Sequence, residues 1–437
     1  MFFSLRGVHV PHRKNTADTS AIRLPAPSVV TIPMSMHIGK PAIPTVKVGD
    51  TVKVGTLIGE QDGFISSPVY SSVSGKVIKI SDIPLSNGGT SKAVVIESDS
   101  ELSADPSVAP PTVDSADSLI AAIKKSGVVG LGGAGFPTYV KFSVEPSKIE
   151  ELVINGAECE PYITSDSYTM CERSDDMALA FSAIKKHLGV KKIIIGIENN
   201  KKRAIEKMQM LAKADNAITV KVLPSIYPQG GEKVLVYHTT GKTIPAGKLP
   251  IDVGCIVCNC TTIAAIGSYI KTGMPIVNKC VTVDGGAVAE PKIVIAPIGT
   301  SISELIDFCG GFKCDPAKVL YGGPMMGITV PSLELPVLKN TNAIIALSEK
   351  EAAEPKVTAC IRCGNCTNHC PFGINPAAIA RAYNKGDTDA LKKLRVDICM
   401  ECGCCSYICP ANRPLVQTNK LSKALLREEK MKEEAKK

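Results

Sequence analysis

Two stretches near the C-terminal end repeat one spacing: Cys360-Ile-Arg-Cys363-Gly-Asn-Cys366-Thr-Asn-His-Cys370-Pro371 and Cys399-Met-Glu-Cys402-Gly-Cys-Cys405-Ser-Tyr-Ile-Cys409-Pro410. Two runs of C-x2-C-x2-C-x3-C-P hold two [4Fe-4S] cubanes, each run giving three thiolates to one cluster and its fourth to the other. On this pattern Cys360, Cys363, Cys366 and Cys409 bind one cluster, and Cys399, Cys402, Cys405 and Cys370 the second. Gly364 and Gly403 let backbone N–H groups approach the sulfurs, and the trailing prolines turn the chain away. Two zinc knuckles would use similar thiolates, but they do not need a fourth Cys followed by Pro, twice over. Cys404, beside a ligand, reads as a bystander. The intervening NPAAIARAYNKGDTDALKKLR (375–395) is helical in pattern, so residues 353–420 are expected to form a helical two-cluster domain. A charged helical tail, 421–437, ends EEKMKEEAKK and reads as a solvated face.

Outward from these runs, 437 residues are too many for one ordinary core and imply several domains. The 17 cysteines are odd in number and lie in an intracellular-looking chain, which favours thiolate–metal chemistry over disulfides. A net charge of +8 with no Trp argues against stacking platforms for single-stranded nucleic acid and leaves room for an acidic redox partner. No apolar run reaches the roughly 18 residues of a membrane helix, and the N-terminus lacks a signal-peptide pattern. The chain reads as cytosolic, with any membrane association made through partners.

The first hundred residues, with VKVGDTVKVGTLIGE (46–60) and SPVYSSVSGKVIKI (67–80), alternate apolar and polar positions between frequent turns, as a small all-β unit does. A polar linker, 98–115, follows. Beyond it, helices are expected over 117–125, 176–188 and 201–214, and strands over 151–155, 192–197 and 218–223. Strands separated by such helices imply βαβ crossovers and a parallel sheet. Residues 280–347 return to short strands around one helix, 303–309, as a compact α+β module.

Gly130-Leu-Gly132-Gly133-Ala-Gly135-Phe136 matches G-x-G-x-x-G, but a helix precedes it where a dinucleotide fingerprint needs a strand. INGAECEP (154–161) and YPQGGEKVL (227–235) each lie at or just beyond an expected strand, and VCNCTTIAAI (257–266) opens an apolar helix. Polar clusters at several strand ends of an open sheet converge on one crevice. These segments resemble the flavin- and NADH-binding subunit of respiratory complex I over residues 117–275. LRGVHVPHRKNTAD (5–18), VTIPMSMHIGKPAIPTVKVGD (30–50), YGGPMMG (321–327) and the cysteine runs extend the likeness to nearly the whole chain. In combination they resemble the RnfC family of the Rnf complexes, the ion-translocating ferredoxin:NAD oxidoreductases.

That resemblance implies a multidomain α/β fold: a β hammerhead (barrel-sandwich hybrid) over 1–100, a Rossmann-like FMN/NADH domain with a parallel sheet over 116–275, a β-grasp (SLBB) module over 280–347, and the two-cluster ferredoxin-type domain. It implies FMN held by Gly130, Gly132, Lys141, Asn155, Glu158, Tyr227, Gly230 and Asn259, with NAD(H) contacted by Gly133, Phe136, Glu160 and Glu232. Two departures from the complex I pattern are Gly231, where an acidic residue is common, and Cys258, in place of the first of two asparagines. The hammerhead offers no lysine flanked for lipoylation or biotinylation and reads as scaffold, and the β-grasp module as a docking or packing unit. The remaining cysteines, Cys159, Cys171, Cys255, Cys260, Cys280, Cys309 and Cys314, read as small buried hydrophobes.

The function implied is NAD:ferredoxin oxidoreduction by a peripheral subunit on the cytoplasmic face of the membrane. Hydride exchange with NAD(H) at FMN would be coupled to single-electron transfer through two [4Fe-4S] clusters. Other Rnf subunits, membrane-embedded and iron–sulfur, would be its partners, with ferredoxin reached indirectly and Na+ or H+ moved elsewhere in the complex. Two other readings remain at this point: a soluble flavin/iron–sulfur reductase such as a cobalamin reductase, and a non-catalytic electron-wire and assembly subunit.

Overall fold

The computed structural model describes residues 6–86 and 88–434; residues 1–5, Asn87 and 435–437, which include the start of the expected N-terminal unit and the end of the charged tail, lie outside the described residues. At the centre is a parallel four-stranded sheet in the order Ile218–Leu223, Lys192–Glu198, Glu151–Gly156, Cys255–Asn259. Its inner strands are apolar on both faces, as a parallel sheet covered by helices requires. Leu152, Ile154, Ile193 and Ile195 pack with Met177, Phe181, Ile184 and Ile263 on one side. Val153, Cys255 and Val257 face Leu235 and Val236 on the other. The expected helices appear as Ala116–Lys125, Ser174–Leu188 and Lys202–Ala214. The strand Cys255–Asn259 and the helix Ser165–Glu172 were not anticipated as elements.

The hammerhead is two small antiparallel sheets closed over Val30, Ile32, Met34, Ile58, Val69, Val77, Val94 and Ile96. The β-grasp sheet comprises Asn278–Asp284, Lys292–Pro297, Ala343–Leu347, Lys318–Tyr321 and Ile328–Thr329, with the helix Ile302–Phe308 against its core. Its sixth strand, Ile22–Arg23, comes from the chain ahead of the hammerhead and pairs parallel with Lys292–Pro297. In the cysteine domain, Gly364 and Gly403 have φ of 79° and 83° and each starts a short helix, Asn365–Asn368 and Cys404–Tyr407. That backbone suits glycine and explains the residue at both equivalent positions. The helices Pro376–Asn384 and Thr388–Lys393 fill the link between the runs, and Leu415–Glu434 packs across them.

Two lysines join these units. Lys339, 1 % exposed, donates to Ser67 Oγ, Pro68 O and Gly127 O, so one ammonium ties the β-grasp segment to the hammerhead and the central domain. Its three N–H groups meet three acceptors, which is the full donor capacity of a lysine. Lys14 does the same for one loop, donating to Glu158 O at 2.9 Å, Glu160 O at 2.8 Å and Ile163 O. Around Lys14, Val8 pairs with the backbone of Tyr227, Arg13 donates to Tyr162 and Glu351, and Asn15 reaches Asp284. The arm VHVPHRKN thus stitches the central domain to the β-grasp module.

Candidate functional site

The glycine-rich loop and two strand ends meet at the C-terminal edge of the parallel sheet. Asn155 and Asn259 are register partners at the ends of adjacent strands. Asn155 Nδ2 donates to Gly230 O at 2.8 Å, tying its strand to the Tyr227–Glu232 turn. Asn259 caps the helix Cys260–Thr272 through Thr261 N and Thr262 N, and its Nδ2 donates to Asp166 Oδ2. A Cβ on Gly132 would stand 2.3 Å from Asn259 Nδ2, so this glycine is required by a close approach to the capping amide. Gly133 has no atom within 4 Å of its Cβ position, and residues 132–134 are exposed, leaving an open stretch of backbone above the strand ends.

Lys141, on the short helix Thr138–Phe142 that follows the loop, donates to Val257 O at 2.8 Å and pairs with Glu232 at 3.6 Å. Two of its three N–H directions are engaged, and the third is left for an anion. Cys258 lies beside it, its thiol pushed up to about 11 chiefly by burial. Thr138 Oγ1, Tyr227 OH and Gln229 Oε1 are buried without a hydrogen-bond partner among the described residues. An open glycine backbone, a lysine with a spare donor and unpartnered buried polar atoms fit a bound phosphorylated flavin. Phe136 and Glu232 are on the same loop and turn.

The two acidic residues of INGAECEP point elsewhere. Glu158, at a φ of 47°, accepts from Asp166 N at 2.6 Å and Ser167 N at 3.3 Å and so caps the helix Ser165–Glu172. Glu160 accepts from Met325 N at 3.0 Å and Met326 N at 2.8 Å, within the YGGPMMG loop of the β-grasp module. Burial pushes both carboxyls up to about 7. The nearby Lys14 ammonium draws Glu158 back down, and the two amides do so for Glu160. Both carboxylates therefore brace the strand-end loop through backbone amides. The 321–327 loop and the N-terminal arm were not picked out as parts of this region, and only their place in the family likeness marked them.

The eight cysteines of the two runs line two cavities. Cys360, Cys363, Cys366 and Cys409 line one cavity of about 220 Å³. Cys370, Cys399, Cys402 and Cys405, with Cys404 beside them, line a second, tighter one of about 20 Å³. A single zinc ion would draw four thiolates to about 2.3 Å from one point, whereas the first cavity leaves room for a multi-atom cluster. The second set abuts the Tyr227–Glu232 turn. Cys404 Sγ lies 3.7 Å from Tyr227 O, and Cys402, Cys404, Tyr227, Cys159, Met325 and Met400 share one packed group. A Cβ at Gly231 would come 2.3 Å from Met400 Cε, so the glycine at this departure makes room for the cluster-loop methionine. Of the spare cysteines, Cys171, Cys255, Cys260 and Cys309 are buried, Cys159 and Cys280 half-buried, and Cys314 exposed.

Fold and site together define a flavin and iron–sulfur electron-transfer subunit, an FMN-binding fold joined to a dicluster domain. Family models agree: the Nuo51 FMN-binding domain matches residues 123–268, the RnfC barrel sandwich hybrid domain 3–101, the SLBB domain 280–329 and the 4Fe-4S dicluster domain 355–410. The chain is 41% identical over 381 residues to the RnfC-type subunit of the proton-translocating ferredoxin:NAD(+) oxidoreductase complex of Clostridium ljungdahlii, covering 86% of this chain and 83% of that one. It is also 41% identical to the corresponding subunit of the Na(+)-translocating complex of Acetobacterium woodii, covering 86% of each. With the corresponding subunit of the ion-translocating oxidoreductase complex of Rhodobacter capsulatus it shares 37% identity over 98% of this chain and 84% of that one. The chain belongs to this family, the RnfC subunits of the ion-translocating ferredoxin:NAD(+) oxidoreductase (Rnf) complexes. A crystal structure of an NAD+-reducing [NiFe]-hydrogenase shares the fold at a TM-score of 0.52 and 17% identity, covering 71% of this chain and 64% of that chain, less than two thirds of its length. Among the described residues, no helix is long and apolar enough to cross a membrane.

Proposed function

We propose that this chain exchanges electrons between NAD(H) and partner subunits, as a peripheral member of an Rnf complex on the cytoplasmic face of the membrane. FMN, when bound, supplies the conversion between a hydride's two electrons and single-electron steps. Lys141, with its spare N–H, would hold the flavin phosphate, and Gly132 and Gly133 would give the ring access to the backbone beside Asn155, Gly230 and Asn259. Phe136 and Glu232 flank the open glycine stretch, where the nucleotide would lie. Glu158 and Glu160 hold the loop shape through backbone amides. Cys370, Cys399, Cys402 and Cys405 would hold the cluster next to the flavin, and Cys360, Cys363, Cys366 and Cys409 the outer one.

The observation that carries this reading is the packing of Tyr227, Gly231 and Met325 directly against Cys402, Met400 and Gly403. It puts the Tyr227–Glu232 turn in direct contact with the second cysteine set. Ion movement, of Na+ or H+, belongs to partner subunits. The test is anaerobic purification of the full chain with assay of flavin, iron and sulfide, followed by NADH addition. The reading expects about one flavin, about eight iron and about eight sulfide, with cluster absorbance bleached by NADH. Bound iron that NADH leaves oxidised would favour a non-catalytic electron wire instead.

A further inference from the structure

Every residue from 353 to 364 is exposed, Cys360 and Cys363 included, so the outer cysteine set opens to the surface. Around its cavity stand Arg362, Arg381 and Arg413. Lys356 joins them, because its carbonyl accepts from Asn412, next to Arg413, and Thr358 N donates to Ala411 O on the cavity wall. Among the described residues none of these four cations has an ion-pair partner, although eighteen ion pairs are formed elsewhere. The local sequence has no Asp or Glu from Pro355 to Gly386, nor from Cys402 to Arg427. Two apolar side chains sit in the same exposed stretch, Val357 at 53% and Ile361 at 67% exposure. An apolar centre inside a ring of unpaired like charges has the composition of a small, charge-steered interface.

We propose that this face is the docking surface for an acidic protein electron carrier, a partner domain with a one-electron centre near its own surface and carboxylates around it. The inference rests on the cluster assignment above. One electron passes from the carrier's reduced centre to the outer cluster; the carrier is oxidised by one electron, the cluster reduced by one, and no bond is made or broken. Charge complementarity steers the encounter, and Ile361 and Val357 supply dry contact of the limited area usual for redox encounters, under about 1,200 Å². In the second set Cys402 and Cys405 are buried and Cys399 half-buried, with Tyr227 and Met325 packed on the Cys402–Cys404 side.

The test uses the full, iron-loaded chain in anaerobic stopped flow, with a reduced acidic [4Fe-4S] ferredoxin as probe and methyl viologen radical as a small cationic control. Iron is assayed in every preparation; a wild-type chain without iron would overturn the cluster assignment and not the docking argument. With iron present, the wild-type rate with ferredoxin should fall steeply as salt rises from about 20 to about 300 mM. Lys356→Glu/Arg381→Glu should lower the low-salt rate about tenfold or more and flatten its salt dependence, while its rate with methyl viologen is not lowered. Lys207→Glu/Lys221→Glu, on exposed positions of the central domain, should leave the ferredoxin rate within about twofold. A wild-type rate independent of salt, an equal loss in the control pair, or no reduction by ferredoxin of clusters that methyl viologen reduces would each overturn the proposal.

Discussion

The two cysteine runs have the same spacing, the same left-handed glycine before the same short helix, and opposite surroundings. Cys360 and Cys363 are exposed, with a cavity of about 220 Å³ behind them. At the matching positions Cys399 is half-buried and Cys402 buried, while the third cysteines, Cys366 and Cys405, are buried in both runs, and the Cys402 loop is covered by Tyr227, Met325 and the Gly231 turn. The ligand set decides what a run can bind. The neighbours decide whether the bound cluster faces a partner or a cofactor. On the proposals above, the repeated motif serves two uses, the inner set exchanging electrons within the chain and the outer set meeting another protein.

The largest effects should come from the crossing ligands. Cys409→Ala is expected to remove the outer cluster and Cys370→Ala the inner one, each lowering iron from about eight to about four per chain. Spectra of the two variants should show complementary losses; if Cys409→Ala lost the cluster of Cys399, Cys402 and Cys405 instead, each run would hold its own cluster.

Lys14 should separate the regions by stability. Lys14→Met leaves three carbonyls of the 158–163 loop without their donor and should cost about 3 kcal/mol in unfolding measurements, disturbing the inner cluster's spectrum before the outer one's. Burial holds Lys14 at about 8 in the folded chain, against 10.5 for a free lysine. Between those values the unfolded chain binds the extra proton, so this group's contribution favours the folded state increasingly as pH rises from 8 to 10.5. The stability gap between the wild type and Lys14→Met should widen over that range; a constant gap would mean the ammonium is as comfortable buried as in water.

Gly132→Val should drive a side chain into the Asn259 amide, weakening the cap of Cys260–Thr272 by about 1 kcal/mol and abolishing flavin binding, with iron content unchanged in both clusters. Full flavin retention would place the cofactor elsewhere. The smallest change is expected at Cys404, whose neighbour Cys405 is a ligand. Cys404→Ser should keep about eight iron and shift stability by roughly 1 kcal/mol or less, because a hydroxyl can replace the thiol in its hydrogen bonds to Tyr227 O and Cys402.

Much of this was legible in the chain. The cysteine spacing carries the proposed ligand set, and the apolar runs at 151–155 and 192–197 read as strands, which the structure buries along nearly their whole length. Gly130 to Phe136, Asn155, the Tyr227–Glu232 turn and Asn259 were brought together by the rule that ligands sit at strand ends. The hydrogen bonds of Glu158 and Glu160 were not legible: their partners are helix and loop amides set by tertiary packing, Glu160 meeting Met325 and Met326 across 165 and 166 positions. Nor was the unequal burial of the two runs, since nothing local to Cys399–Cys409 announces that the Tyr227 turn will lie on it. The short strand Cys255–Asn259 was hidden because its apolar residues run straight into the helix after it, with only Asn259 between.

The central claim is the order flavin, inner cluster, outer cluster. Its most direct test is rapid-freeze electron paramagnetic resonance after mixing NADH with the flavin-loaded Cys370→Ala and Cys409→Ala proteins. In Cys409→Ala the surviving inner cluster should be reduced at the wild-type rate, while in Cys370→Ala the surviving outer cluster should be reduced at least about a hundredfold more slowly, a barrier increase of about 2.7 kcal/mol. Equal rates in the two variants, or faster reduction of the outer cluster, would contradict that order.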